Sequence, residues 1–449
     1  MTTTSAPAPS PAPGARPAAA AGTRGRPHRT VPASLRLLLI GLLVGAVAYG
    51  AVGTWTVIQH ASAAEDVVSA SEPLSLAAQR MYQALSDADV TATTALLIGP
   101  NVRLPARERY AADIGRAAAE LTSLENAATT SANPRLVRSL AVVAAGLPVY
   151  TGYVSQAQTE FLLGYRLTAG SFMQVASEQM HLTLLPAARA SYEQENAALT
   201  AAGARATGLP RIVVVLVLAI ALGLVLFRAQ RWLSRRTHRV FNPGLLAASV
   251  ALLVSALWLL ASFAVARADL QRAFAHGSAP AEALAQAAID TQQARGYQVL
   301  NLISRSGDAT FVEDFQAVRA KLGPGPGTLL SAAAGASTGT GAHWATVAGR
   351  DLRFWYTVIG QAYALDSRAQ YTGETALVIG PGAGASTAGF ARVEADLSRA
   401  IGADHAVFHS GATAGRDAFT GLDVVIIVAA LLMAAGCAWG LSRRLAEYR

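Results

Sequence analysis

The sequence predicts an all-α fold: four transmembrane helices carrying two extracytoplasmic helical-bundle domains, arranged as a duplicated span-bundle-span unit. Three observations predict it. Four long apolar runs, at 37–58, 212–227, 245–266 and 422–441, approach the roughly 20 residues that cross a bilayer as a helix. The long intervals between them, 59–210 and 267–421, are rich in Ala, Leu, Glu, Gln and Arg, which favour helix, and hold few β-branched clusters. Within them apolar residues recur at three- and four-residue steps, as in Leu74, Ala77, Ala78, Met81, Leu85, Ala88, Ala92, Ala95 and Leu96, the stripe of a bundle helix.

Residues 1–33 form a cytoplasmic tail rich in Pro and Ala, with Pro7, Pro9, Pro11, Pro13, Pro17, Pro27 and Pro32 among small polar residues. Proline removes a helix donor and there is little apolar surface to bury, so the tail is expected to be disordered. Thr23 and Thr30, beside arginines, are candidate phosphate acceptors; attraction of the basic tail to anionic lipid is the plainer reading.

The first span, 37–58, precedes Ala61-Ser62-Ala63, which looks like a signal-peptide cleavage site. Its run is longer than a signal core of roughly 7–15 residues, so it is read as a retained anchor. Orientation follows from arginine. Arg16, Arg24, Arg26, Arg29 and Arg36 precede span one. Arg228, Arg231, Arg235, Arg236 and Arg239 fill the loop 228–243, and Arg443, Arg444 and Arg449 lie in the tail 442–449. Lys and Arg stay in short cytoplasmic segments because moving them across the membrane is costly. The inner segments carry +12 and the remainder −4, together the +8 of the chain, so its basicity reflects topology and not nucleic-acid binding. Both termini are expected inside the cell membrane, with 59–210 and 267–421 outside.

The first outer domain reads as helices near 60–98, 105–131, 135–166 and 168–207, broken at Gly99-Pro100-Asn101, at Asn133-Pro134 and near Gly170. The second is broken at Ser306-Gly307-Asp308, at Gly323 to Gly327 and at Gly380-Pro381-Gly382. Ser71-Glu72-Pro73 and Ser278-Ala279-Pro280 follow spans one and three at matching offsets, and proline there should kink or restart the helix leaving the membrane. Thr94 to Pro100 echoes Thr375 to Pro381, though at different places in the two units. Cys437, the single cysteine, sits in the last span, so no intramolecular disulfide can form and the outer domains must be held by apolar packing.

This architecture resembles the four-helix-bundle sensor domains of bacterial chemoreceptors. The paired units, the proline-rich tail, and the Gln293-Ala294-Arg295-Gly296-Tyr297 and Leu302 to Gly307 stretches followed by Phe311 and Phe315 resemble the actinobacterial GlnX-like membrane proteins. That resemblance implies an extracytoplasmic amino-acid-binding lipoprotein and a cytoplasmic Ser/Thr kinase of the PknG type as partners, relaying amino-acid availability. Unlike a chemoreceptor, the chain has no HAMP-like or long coiled-coil region after any span.

Catalytic signatures are missing: there is no Walker-type Gly-x-x-x-x-Gly-Lys, no Gly-x-Ser-x-Gly and no His-Glu-x-x-His, so a non-enzyme without cofactor is expected. His405 and His409 are spaced to share one helix face beside Asp404, but two imidazoles lacking a third clear ligand read as surface residues and not as a metal site. Asp423 reads as an interfacial residue at the outer edge of span four, since the spans hold too few ionisable groups for a transport pathway.

Arg80, Arg295 and Arg305 are candidates to bind a carboxylate through the guanidinium fork, against the plainer reading of solvated or salt-bridged arginines. Trp355, in the aromatic stretch from Trp344 to Tyr371, suits a core first and a partner interface second. Inside, Arg231, Trp232, Arg235 and Arg236 are the candidate docking surface, with lipid anchoring as the alternative. The expected function is a transmembrane signal relay; the alternative is a scaffold or subunit of a cell-envelope complex that senses nothing.

Overall fold

The structure, a computed structural model, describes residues 31–97, 103–131, 133–237, 242–304, 310–323, 325, 327–380 and 382–446. The N-terminal tail, Arg305 and the break at Ser306–Asp308 lie outside the described residues. Helices follow one another as α1 (Val31–Asp66), α2 (Glu72–Leu97), α3 (Arg103–Ser131), α4 (Pro134–Leu162), α5 (Arg166–Gln179), α6 (Leu185–Ala206), α7 (Pro210–Thr237) and α8 (Pro243–Ala273). The second half continues with α9 (Ala279–Ser304), α10 (Thr310–Leu322), α11 (Leu329–Ala336), α12 (Gly339–Asp366), α13 (Tyr371–Ile379), α14 (Ser386–Asp417) and α15 (Leu422–Ala446). Among the described residues there is no strand, as the composition predicts.

Proline 73 does not break its helix. Instead α1 runs into α2 through a π-helical turn at Val67–Ser71, and α8 runs into α9 through another at Phe274–Ser278. Proline lacks an N–H and its ring crowds the carbonyl four residues back; widening the preceding turn accommodates both while the rod continues. A third π turn, Met180–Leu184, joins α5 to α6. In all three the proline, Pro73, Pro186 or Pro280, is the second residue of the α-helix that follows. The turn before Pro186 is not among the breaks the sequence reading placed.

Other boundaries have local causes. The Asn133 side chain accepts from the amides of Arg135 and Leu136 and caps α4, with Pro134 at its first position. The break expected near Gly170 falls at Leu163–Tyr165, where Gly164 takes φ +92°, a backbone region that favours glycine; Gly170 itself lies inside α5.

Among the described residues five helices are long and apolar enough to cross a membrane, against the four runs read from the sequence; the fifth is α4. In α1, α7, α8 and α15 apolar side chains such as Val44, Val47, Val217, Ile220, Leu253, Leu257, Leu431 and Leu432 remain exposed on the outer faces. Such a belt is compatible with a membrane protein. These four helices close a ring, α1 on α15 and α7, and α8 on α15 and α7. At one end α8 and α15 meet backbone to backbone: a Cβ on Gly244 would collide with the Gly436 carbonyl, and Asn242 Nδ2 donates to Gly440 O at 2.8 Å.

Beyond the ring, α2 to α6 pack around Met81, Leu85, Leu124, Leu140, Tyr150 and Met180. α9 to α12 and α14 pack around Leu284, Phe315, Leu352, Trp355, Ile359 and Leu397. Helices α2 and α9 lie against each other, and Ile289 of α9 joins the first bundle's core.

Candidate functional site

Each bundle buries several charged side chains, one of them in each at the middle of a hydrogen-bonded cluster, and a polar seam joins the bundles. In the first bundle the centre is Asp89 on α2. Its Oδ1 accepts from Tyr150 Oη at 3.3 Å, and its Oδ2 accepts from Ser177 Oγ at 2.9 Å and lies 3.2 Å from His181 Nε2. His181 stands on the π turn between α5 and α6, so that widened turn contributes one of the partners. Burial, and then the Asp89 charge, hold the Tyr150 phenol well above its ordinary pKa, so it stays a donor.

In the second bundle the centre is Arg295 on α9, 1% exposed. Nη1 donates to Gln298 Oε1 at 2.7 Å and to Ser386 Oγ at 3.1 Å, and Nη2 donates to Thr387 Oγ1 at 3.0 Å. The Phe390 ring lies 5.9 Å from the guanidinium carbon. Trp355 Nε1 donates to the same Ser386 oxygen at 2.7 Å. Among the described residues no carboxylate pairs with Arg295. Burial lowers its pKa to about 10, which leaves it charged at neutral pH.

The seam runs down α2, α3, α9 and α14. Gln292 Nε2 donates to Asp87 Oδ1, and Arg109 Nη2 holds both Glu394 oxygens at 3.1 and 3.0 Å. Nearer the ring His409 Nδ1 is 3.0 Å from Glu72 Oε2, and Arg416 Nη1 is 3.4 Å from Glu65 Oε2. Burial first, and then the neighbouring Glu394 charge, push the Asp87 carboxyl well above its usual range. Burial also raises Glu72, with His409 partly opposing it.

The predicted site residues separate accordingly. Arg295 and Trp355, sixty residues apart, meet at Ser386. Arg295 is neither solvated nor salt-bridged, against the plainer reading of the sequence, because the first turn of α14 covers it with neutral acceptors. Trp355 is wholly buried and serves the core. Arg80 is exposed and lies 4.0 Å from Glu120, as a surface arginine. On α7 Arg231 and Arg235 are exposed and Trp232 is partly buried against the ring core; the Arg236 side chain lies outside the described residues.

His405 and His409 do not act together. His409 faces Glu72, while burial first and Arg80 second depress the His405 pKa to about 4. Asp404 accepts from Ser337 Oγ at 2.7 Å. Among the described residues no group of three His, Cys, Asp or Glu side chains could hold a metal ion. Sequence reasoning missed Asp89, His181, Asp87 and Glu394. Gln298, one helical turn beyond Arg295, was the one partner that spacing could have pointed to.

The molecule is thus an all-helical, membrane-compatible protein with charged centres inside its bundles. Residues 63–204, from the end of α1 almost to the end of α6, match the family model described as an actinobacterial sensor domain. No curated protein and no solved structure matches the chain significantly. The family match supports a sensing or signalling role and an actinobacterial setting for the first bundle.

Proposed function

We propose that the chain is a non-enzymatic relay with four spans, α1, α7, α8 and α15, two bundles outside the cell and both termini inside. The observation that carries this reading is the unbroken passage of α1 into α2 and of α8 into α9, which lets a displacement in a bundle travel into the ring without unfolding. Helix α4 is left out of the spans because it is the least apolar of the five and packs on α5 and α6 within the first bundle. The arginine distribution supports the inside–outside assignment.

The resemblance to GlnX-like proteins supports an amino-acid-binding lipoprotein as the outer partner and a Ser/Thr kinase as the inner one. Arg231, Trp232, Arg235 and Arg236 at the inner end of α7 are the docking candidates. The test is disulfide cross-linking in membranes of cysteine pairs placed at the outer ends of α1 and α7. The pattern should change when amino acids are withdrawn; a pattern that never changes would end the relay reading.

A further inference from the structure

We infer that the second bundle holds a binding site for a small carboxylate, built on Arg295, Gln298 and the first turn of α14. Burying a charge is costly unless another charge or a full set of hydrogen bonds compensates it. Among the described residues Arg295 has neutral acceptors and no carboxylate, so the centre keeps a net positive charge inside an apolar core.

Donors also outnumber acceptors there. Guanidinium brings five N–H groups, Trp355 one, Ser386 and Thr387 one hydroxyl each, and Gln298 two. Gln298 Oε1 already serves both Arg295 and Ser386, while Gln298 Nε2 is buried with no partner in a residue only 2% exposed. An orphaned donor beside an uncompensated cation asks for an anion.

Helix α14 adds the same sign. Its N-cap residue, Ala385, supplies no side-chain acceptor, so the amides of the first turn present their partial positive charge next to Arg295. A planar carboxylate matches the guanidinium fork and can take the Gln298 amide as well. The faces of Phe390 and Trp355 would lie against the carbon it is attached to. Gly382, Ala383 and Gly384 are exposed and lead directly into buried Ala385 and Ser386, so the chain that covers the centre begins at the surface.

This inference does not depend on the relay, because occupancy is read on the protein alone. The full chain in lipid nanodiscs is melted with sodium formate, acetate or L-glutamate, against acetamide and sodium chloride at equal ionic strength. Carboxylates should raise the midpoint and acetamide should not. Gln298→Glu, which places a carboxylate against Arg295, should raise the midpoint by itself and lose the response to added carboxylate. Arg295→Met should lose the response too; if that variant does not fold, Gln298→Glu decides. A wild-type protein indifferent to carboxylates, or a Gln298→Glu protein that still responds as the wild type does, would overturn the assignment.

Discussion

The two bundles solve the same problem with opposite charges. The first buries a carboxylate and surrounds it with donors from three other elements, α4, α5 and the π turn that bears His181. The second buries a guanidinium and gives it neutral acceptors alone. The first centre holds its own counter-charge whenever His181 is protonated, whereas the second has no ionisable partner among the described residues and is left one anion short. A complete centre stiffens a bundle; an incomplete one makes the packing of α9 against α14 sensitive to what occupies it.

The sharpest break of that contrast is Asp89→Leu. It removes the acceptor of two buried hydroxyls at once, and an unsatisfied buried donor costs about 1–3 kcal/mol, so a loss of about 3 kcal/mol is expected. Chemical denaturation of the full chain measures it. A loss below about 1 kcal/mol would mean that the first bundle does not rely on its centre.

The π turns offer a second comparison at matched positions. Gly277 and Ala70 both stand three residues before the proline that follows the turn, yet only Gly277 is pressed against another helix. A Cβ there would meet the Phe408 backbone nitrogen at 2.6 Å, whereas Ala70 is exposed. Gly277→Ala should cost about 2 kcal/mol by overpacking α14. Ala70→Ser should stay within about 0.5 kcal/mol. Equal effects would show that the two turns are packed alike after all.

That comparison also shows what the sequence made legible. Pro73 and Pro280 at matching offsets could be read from the chain, and both mark real irregularities. Their form could not be read, because a wider turn that keeps the rod continuous depends on what packs beside it. Apolar periodicity gave the helices of the first bundle almost to their ends, since a stripe is a local property. Gly164 and not Gly170 makes the turn after α4, because only tertiary packing decides which glycine must take a positive φ. Arg295 and Trp355 were legible as residues able to meet a carboxylate or an aromatic surface. Their meeting through Ser386 depends on long-range packing of α9, α12 and α14, which no spacing encodes.

The smallest expected effect lies in the seam, where the two bundles must agree on a protonation state. Asp87 faces Glu394 and Asp113, with Arg109 as the nearby cation and Gln292 as its hydrogen-bond donor. Because its folded pKa is raised, its contribution is fully present below the unfolded carboxylate value and is lost as pH rises through the folded value. His405 works the other way: its folded pKa is depressed, so its contribution is present above 6.5 and is lost as pH falls toward about 4. Comparing wild type with Asp87→Asn cancels the His405 effect. The variant should match the wild type in acid and become more stable than it as pH rises, by roughly 1 kcal/mol for a partly buried carboxyl. Melting midpoints of the pair across that range test the sign. A variant that instead becomes less stable than the wild type as pH rises would mean that Asp87 is held as a carboxylate, and that the bundles are joined by its charge instead of by its proton.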